Sequence, residues 1–221
     1  MTGAHELIAN IQSELEPLYQ KIVNHRYLMA LEDGKVKRES LAVFATQQHH
    51  IINSDLRSIS LLLARHGDLD SRQYLLDILL GENAAALMLQ KFARALGMSE
   101  GQMSACEPIP EAFAYAAFVA WLGVYGSDAE FAAAFLVNLA AWGANCRRIS
   151  AALTSGYGFD AEAVSFFDLF ANLPPQGDAA AVVVQNGLHR GIAASGIARA
   201  ARMLQGYEFL FWEGIAQGAA V

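Results

Sequence analysis

The feature that most constrains this chain is a single stretch, RESLAVFATQQHHIINSDLRSISLLLAR from Arg38 to Arg65, which reads as one long buried helix carrying polar residues where apolar ones belong. At about 100° per residue, Leu41, Phe44, Ala45, Ile52, Ile59 and Leu62 fall on one stripe, and Gln48 and Asp55 fall in its middle. A helix face of this kind meets a core and a wet site together. Burying an amide or a carboxylate without a partner costs on the order of a few kcal/mol, so such residues imply a ligand, waters or hydrogen-bonding neighbours.

The same pattern recurs along the chain. From Asp70-Ser71, expected to cap a helix that runs to Leu96, the stripe of Leu75, Ile78, Leu79, Leu89, Phe92 and Leu96 encloses Glu82. A helix from the Pro108-Ile109-Pro110 segment to about Tyr125 carries Tyr115 with Phe118, Val119 and Leu122. Ser127-Asp128 is expected to cap a helix to about Leu153, on which Asn138 and Asn145 lie beside Phe131, Phe135 and Trp142. In the last segment, helical from Asp178 to the end, Glu208 stands at the centre of the Ile197, Leu204, Phe211 and Ile215 stripe.

The punctuation between these stretches is helical throughout. The first pattern, from His5 to about Leu31, contains Pro17 as a boundary or kink and stops at Asp33-Gly34. His66-Gly67-Asp68 closes the central helix, Ser99 to Cys106 makes one short turn, and Asp160 is expected to cap a short helix through Phe170. Gly187, Gly191 and Gly196 leave room for a bend or a close helix contact in the last segment. No stretch alternates as a strand does. The expectation is an all-α bundle of seven to eight helices, forming a single domain over residues 1–221.

Composition excludes several function classes. The chain has 221 residues, 54% of them hydrophobic and 17% charged, enough for a well-buried core. A net charge of −7 leaves no basic surface for nucleic acid or an anionic membrane. The expected partners are a small-molecule ligand and further copies of the same chain, that is, a homo-oligomer. Cys106 and Cys146 show neither CxxC nor zinc-ligand spacing, which fits a reducing cytoplasm. The N-terminus contains acidic residues and no continuous apolar block, so neither a signal peptide nor a membrane span is expected.

One shared cavity is the economical account of Gln48, Asp55, Glu82, Tyr115, Asn138, Asn145 and Glu208, because bundle interiors are where polar sites are built from facing helices. Taken singly, a buried amide often bonds a backbone group, and Asp55 has the alternative of turning outward to an Arg. The carboxylates of Glu82 and Glu208 are less readily explained that way, since ionised Glu is rarely buried unless paired. Phe209, Phe211, Trp212, Trp142 and Tyr115 suit stacking on a flat heteroaromatic ligand, and also suit a plain core. His49 and His50 diverge by about 100° on their helix, and they, His25 and His189 read as packing or surface residues. A carboxylate-bridged metal pair in a bundle uses Glu-x-x-His, and no Asp or Glu here has His three residues on; no metal and no cofactor is expected.

Three segments together carry a family resemblance. MALEDGKVKRESLAVFATQQHHII resembles the opening of the TenA/thiaminase II (TENA/THI-4/PqqC) family, KFARALGMSE followed by PIPEAFAYAA resembles its next two segments, and GYEFLFWEGIAQ resembles its terminal helix. They occur in the family's order over nearly the whole chain. The resemblance implies a haem-oxygenase-like helical fold, and a cytoplasmic, usually oligomeric enzyme that hydrolyses an aminopyrimidine derived from thiamin through a carboxylate, a nucleophilic Cys and a terminal Glu. Glu208 falls on the terminal Glu and Tyr115 on a pocket Tyr. Gln48 stands where the family has a catalytic Asp, and Trp142 stands at the nucleophile position, with Cys146 one turn further on. In the related di-iron branch a His follows at the position that Leu89 occupies here. The readings carried forward are a TenA-like pocket enzyme for a small heteroaromatic compound with Glu208 and Glu82 catalytic and Gln48, Asp55, Tyr115, Asn138, Trp142, Asn145 and Trp212 around the ligand; a non-catalytic binding or regulatory protein of the same fold; and a redox enzyme of that superfamily, such as a PqqC-like oxidase.

Overall fold

A computed structural model describes residues 3–67 and 70–221. Among these residues there is no strand, and the chain forms ten α-helices: α1 (Ala4–Val23), α2 (Arg26–Glu32), α3 (Leu41–His66), α4 (Arg72–Ala95), α5 (Glu100–Ala105), α6 (Pro110–Tyr125), α7 (Asp128–Tyr157), α8 (Ser165–Ala171), α9 (Gly177–His189) and α10 (Ala194–Gly218). One turn of 3-10 helix, Arg38–Ser40, leads into α3. The all-α reading holds, and the count exceeds the expected seven to eight because two stretches read as continuous are each broken once.

The first break follows α1, where His25 adopts an extended conformation and its Nδ1 accepts the Tyr27 N–H at 3.3 Å, starting α2 afresh. Apolar periodicity runs across this point through Ile22, Leu28 and Leu31, all buried, so the pattern alone hides it. The second break lies between α9 and α10, where Gly191 takes φ +91°, a left-handed conformation that costs a glycine little. Pro17 neither ends nor divides α1. It lies on the exposed face, where the Ser13 carbonyl that loses its helical donor meets water.

The longest helix begins with a capping box. Ser127 Oγ accepts the Glu130 N–H at 3.2 Å, and Glu130 Oε2 accepts the Ser127 N–H at 2.8 Å. It ends at Gly158 with φ +69° rather than at Leu153. Two expected caps do not form. Ser71 precedes α4 without a side-chain cap, its hydroxyl donating instead to the His66 carbonyl at 3.4 Å. Asp160 accepts the Ala163 N–H in a turn ahead of α8, which starts only at Ser165. Asp68, read as part of the stop after α3, lies outside the described residues.

In the bundle, α10 packs along α6 and α7, α3 packs between α4 and α6, and α8 and α9 close against α7. Three contacts fix these layers. Gly187 brings α9 so close to α7 that an added Cβ would lie 2.3 Å from the Ala129 Cβ. Gln47 ties α3 to the start of α6, its Oε1 accepting the Ile109 N–H at 2.7 Å and its Nε2 donating to the Glu107 carbonyl at 3.2 Å. Arg65 donates to the Gly123 carbonyl at 2.7 Å. Among the described residues no helix is long and apolar enough to cross a membrane.

Candidate functional site

Gln48 and Asp55 are seven residues apart, about two turns, so α3 presents both on the face that Ile51 and Ile52 share. That face forms one wall of an internal cavity with about 460 Å³ of atom-free space, part of it open to solvent. Glu82 comes from α4, Tyr115 from α6, and Phe135, Asn138, Leu139 and Trp142 from α7. Phe170 at the end of α8, and Glu208 and Phe211 from α10, complete the wall. Its polar groups converge from five helices into an otherwise aromatic and aliphatic lining.

A hydrogen-bond chain orders one side. The Tyr115 hydroxyl donates to Asn138 Oδ1 at 3.0 Å, Asn138 Nδ2 donates to Glu208 Oε2, and Trp212 Nε1 donates to Glu208 Oε1 at 3.2 Å. Trp212 therefore stands one turn behind Glu208 and braces it without touching the cavity. Trp142 does face the cavity. It stacks nearly parallel to Phe44, with centroids 6.1 Å apart, and meets Phe170 and Phe211 edge-on, each at 5.8 Å.

The other side carries polar groups without partners. Asp55 is 2% exposed and its Oδ1 has no hydrogen-bond partner among the described residues. Gln48 is 5% exposed, and none of the hydrogen bonds among those residues engages its side chain.

Burial dominates the electrostatics. It pushes the Glu208 carboxyl up to about 8, against the opposing effect of the Trp212 and Asn138 donors. Burial likewise raises Glu82 to about 7. Asp55 is held well above the ordinary carboxylate range by burial and then by the negative charge of Glu82. The Tyr115 phenol is raised by burial and then by the charges of Asp55, Glu208 and Glu82. Among the described residues no Lys, Arg or His lines the cavity.

The remaining candidate lies elsewhere. Asn145, two turns beyond Asn138, points toward the end of α1, where its Nδ2 donates to the Ile22 carbonyl at 3.4 Å. The histidines pack outside the cavity. His25 caps α2 and pairs with Glu213 at 3.0 Å. His49 and His50, despite their divergence on α3, both reach the end of α5, meeting Ser104 Oγ and the Cys106 carbonyl at 2.8 Å each. His189 pairs with Gln185. Ile51, Leu139 and Phe170 are wall residues not singled out from the sequence as site residues. Leu139 was within reach, four residues after Phe135 on the same stripe, whereas Phe170 arrives only because α8 folds onto α7.

Cys146 is fully buried and is not on the cavity wall. Burial, and then the charges of Glu208 and Asp168, push its thiol well above the usual range. Among the described residues, no group of three or more His, Cys, Asp and Glu side chains is placed to hold a metal ion.

Comparison with known proteins agrees with the fold. A TenA homologue from Pseudomonas syringae pv. tomato superposes with a TM-score of 0.80 at 14% identity, covering 95% of this chain and 92% of that one. A TenA homologue from P. horikoshii gives 0.78 at 14% identity, covering 96% and 99%. A domain from Shewanella denitrificans described as having a haem oxygenase-like fold gives 0.74 at 14% identity, covering 95% and 90%. A protein of Chlamydia muridarum (strain MoPn / Nigg) named 4-aminobenzoate synthase is 28% identical over 126 residues, 54% of this chain and 53% of that protein. The matched stretch thus spans about half the length of that curated relative. The model of the TENA/THI-4/PQQC family matches residues 12–168, well over half of the sequence. The chain belongs to the TENA/THI-4/PQQC family and has its haem-oxygenase-like fold.

Proposed function

We propose that this protein is a TenA-like pocket protein that takes a small heteroaromatic compound into the cavity, with Glu208 exchanging a proton with the ligand and Gln48, Asp55, Glu82, Tyr115 and Asn138 orienting it. The observation that carries the reading is the Tyr115–Asn138–Glu208 chain, which ends in a carboxyl with a pKa of about 8 inside an aromatic-walled cavity. A carboxyl titrating near neutral pH can both give and take a proton under working conditions. Trp142, Phe170 and Phe211 supply flat surfaces for a ring.

The cavity lacks the means to hydrolyse an aminopyrimidine through a covalent intermediate. Such a step needs an activated nucleophile, and the indole at position 142 cannot serve. A buried thiol with a raised pKa is not the reactive thiolate either. The amide of Gln48 can hold a ring amino group and cannot accept its proton. The missing nucleophile favours a second reading, in which the same cavity binds its ligand without transforming it. Both readings describe a cytoplasmic, self-associating protein, a state that analytical ultracentrifugation resolves.

The test is native mass spectrometry of the purified protein, followed by titration with simple aminopyrimidines. A co-purified or added heteroaromatic compound bound in the wild type, and weakened by Glu208→Gln, supports the pocket. Turnover of the compound separates enzyme from binder. Protein that carries no small molecule and binds none of the heterocycles overturns the proposal.

A further inference from the structure

Asp55 and Glu82 form a carboxyl pair that neither the terminal glutamate nor the Tyr115–Asn138 chain uses. They reach the cavity from α3 and α4, and Glu208 reaches it from α10. Three carboxyls in one cavity, each less than a tenth exposed and with no cationic side chain on the wall, constitute an arrangement that folding alone disfavours. The Asp55 Oδ1 has no partner, and the side chain of Gln48, 5% exposed on the same wall, makes none of the hydrogen bonds among the described residues.

Resting on the pocket reading above, we infer that the Asp55–Glu82 pair is a subsite for the cationic amine or amidine end of the ligand, and that the cavity rejects carboxylates. An entering anion would oppose any ionisation of these three acids and would find no counter-charge on the wall among the described residues. A cationic donor would supply the charge and the hydrogen bonds that Asp55 and Glu82 lack. The carboxylate of a 4-aminobenzoate-like molecule would find no cation on this wall among the described residues.

The inference carries a proton balance. The ionisable groups bearing on the pair are Tyr115 from α6, Glu208 from α10 and, in the adjoining outer recess, Asp77 of α4; α7 and α8 contribute the uncharged Asn138, Trp142 and Phe170. Arg57 of α3 lines a separate surface recess with His49 and His50. With only acids facing one another, the free pair retains a proton near neutral pH, consistent with the raised values of both groups. Entry of a cation ionises the pair and releases that proton to solvent, so affinity rises with pH.

The experiment is isothermal titration calorimetry of the full chain with three probes of similar size: benzamidine, a cation from pH 6 to 8; benzoate, an anion; and 2-aminopyrimidine, which is neutral. Buffers of high and low ionisation enthalpy count the protons. Benzamidine is expected to bind about tenfold more tightly at pH 8 than at pH 6 and to release a proton at pH 7. Benzoate is expected not to bind. Asp55→Asn and Glu82→Gln are each expected to weaken benzamidine about tenfold and to abolish the proton release. Either variant suffices if the other does not fold; because Glu208 on the same wall also holds a proton at pH 7, the release is assigned to the pair by its difference between wild type and variant. Benzoate binding as well as benzamidine, or benzamidine affinity flat with pH and indifferent to both substitutions, overturns the inference. If 2-aminopyrimidine binds and benzamidine does not, this inference falls and the pocket stands; if no probe binds, both fall.

Discussion

Glu208 accepts hydrogen bonds from Asn138 and Trp212, both of which favour its ionised form, and its pKa still rises to about 8 because desolvation outweighs them. The folded value lies above the ordinary 4.5, so the native state holds the proton more tightly than the unfolded chain. Glu208 therefore stabilises the fold relatively at low pH, and this contribution is lost as pH rises from about 4.5 to about 8. Glu82 acts in the same direction up to about 7. Glu208→Gln is expected to flatten the profile: its stability relative to wild type should improve by on the order of a few kcal/mol between pH 5 and pH 8, as followed by thermal melts. A wild-type melting temperature that climbs over that range would contradict the burial argument. The cysteines offer a second check. Cys146 is buried and Cys106 half-buried, so alkylation of native protein should modify Cys106 first and reach Cys146 only on unfolding, read by peptide mass spectrometry. At this scale the sequence was informative about which polar residues are buried, since Gln48, Asp55, Glu82, Tyr115, Asn138 and Glu208 all meet in one cavity. It was silent about direction: Asn145 and Trp212 share the buried faces of their helices and look away from the cavity.

Helix positions followed from local chemistry wherever a cap and a stripe coincided, as at the Ser127–Glu130 box and at Ser99, whose Oγ accepts the Gln102 N–H. Breaks that leave the apolar pattern intact did not follow, because periodicity reports which face is buried and not whether the backbone hydrogen bonds continue. His25 restarts the helix with its own side chain, and the stripe passes over it. The glycines of the last segment divide their roles. Gly191 makes the bend with a positive φ, and Gly187 makes a close contact. Gly187→Ala would put a methyl group 2.3 Å from the Ala129 Cβ and force α9 away from α7. A loss of roughly 1–3 kcal/mol is expected in denaturant unfolding, the usual cost of overpacking. An unchanged midpoint would mean that α9 shifts freely.

For the molecule as a whole, iron is an informative negative test. Leu89 lies on α4 two turns after Glu82, and among the described residues no imidazole lines the cavity. Protein from iron-supplemented cells is expected to contain far less than one iron per chain by elemental analysis, and stoichiometric iron would overturn the assignment of the cavity to an organic ligand alone. The sequence by itself determined the class of fold, because 3.6-residue periodicity with helix caps admits few alternatives to an all-α bundle. It also determined that polar groups lie inside, because Glu82 and Glu208 interrupt apolar stripes. Only the tertiary structure decided which of those groups share a cavity. That depends on how α3, α4, α6, α7, α8 and α10 are rotated against one another, and a rotation of a few tens of degrees moves a side chain from the cavity to a helix seam while leaving its burial unchanged. The absence of a counter-charge is likewise a property of the assembled wall, since a cation on any neighbouring helix would have altered the chemistry of all three carboxyls.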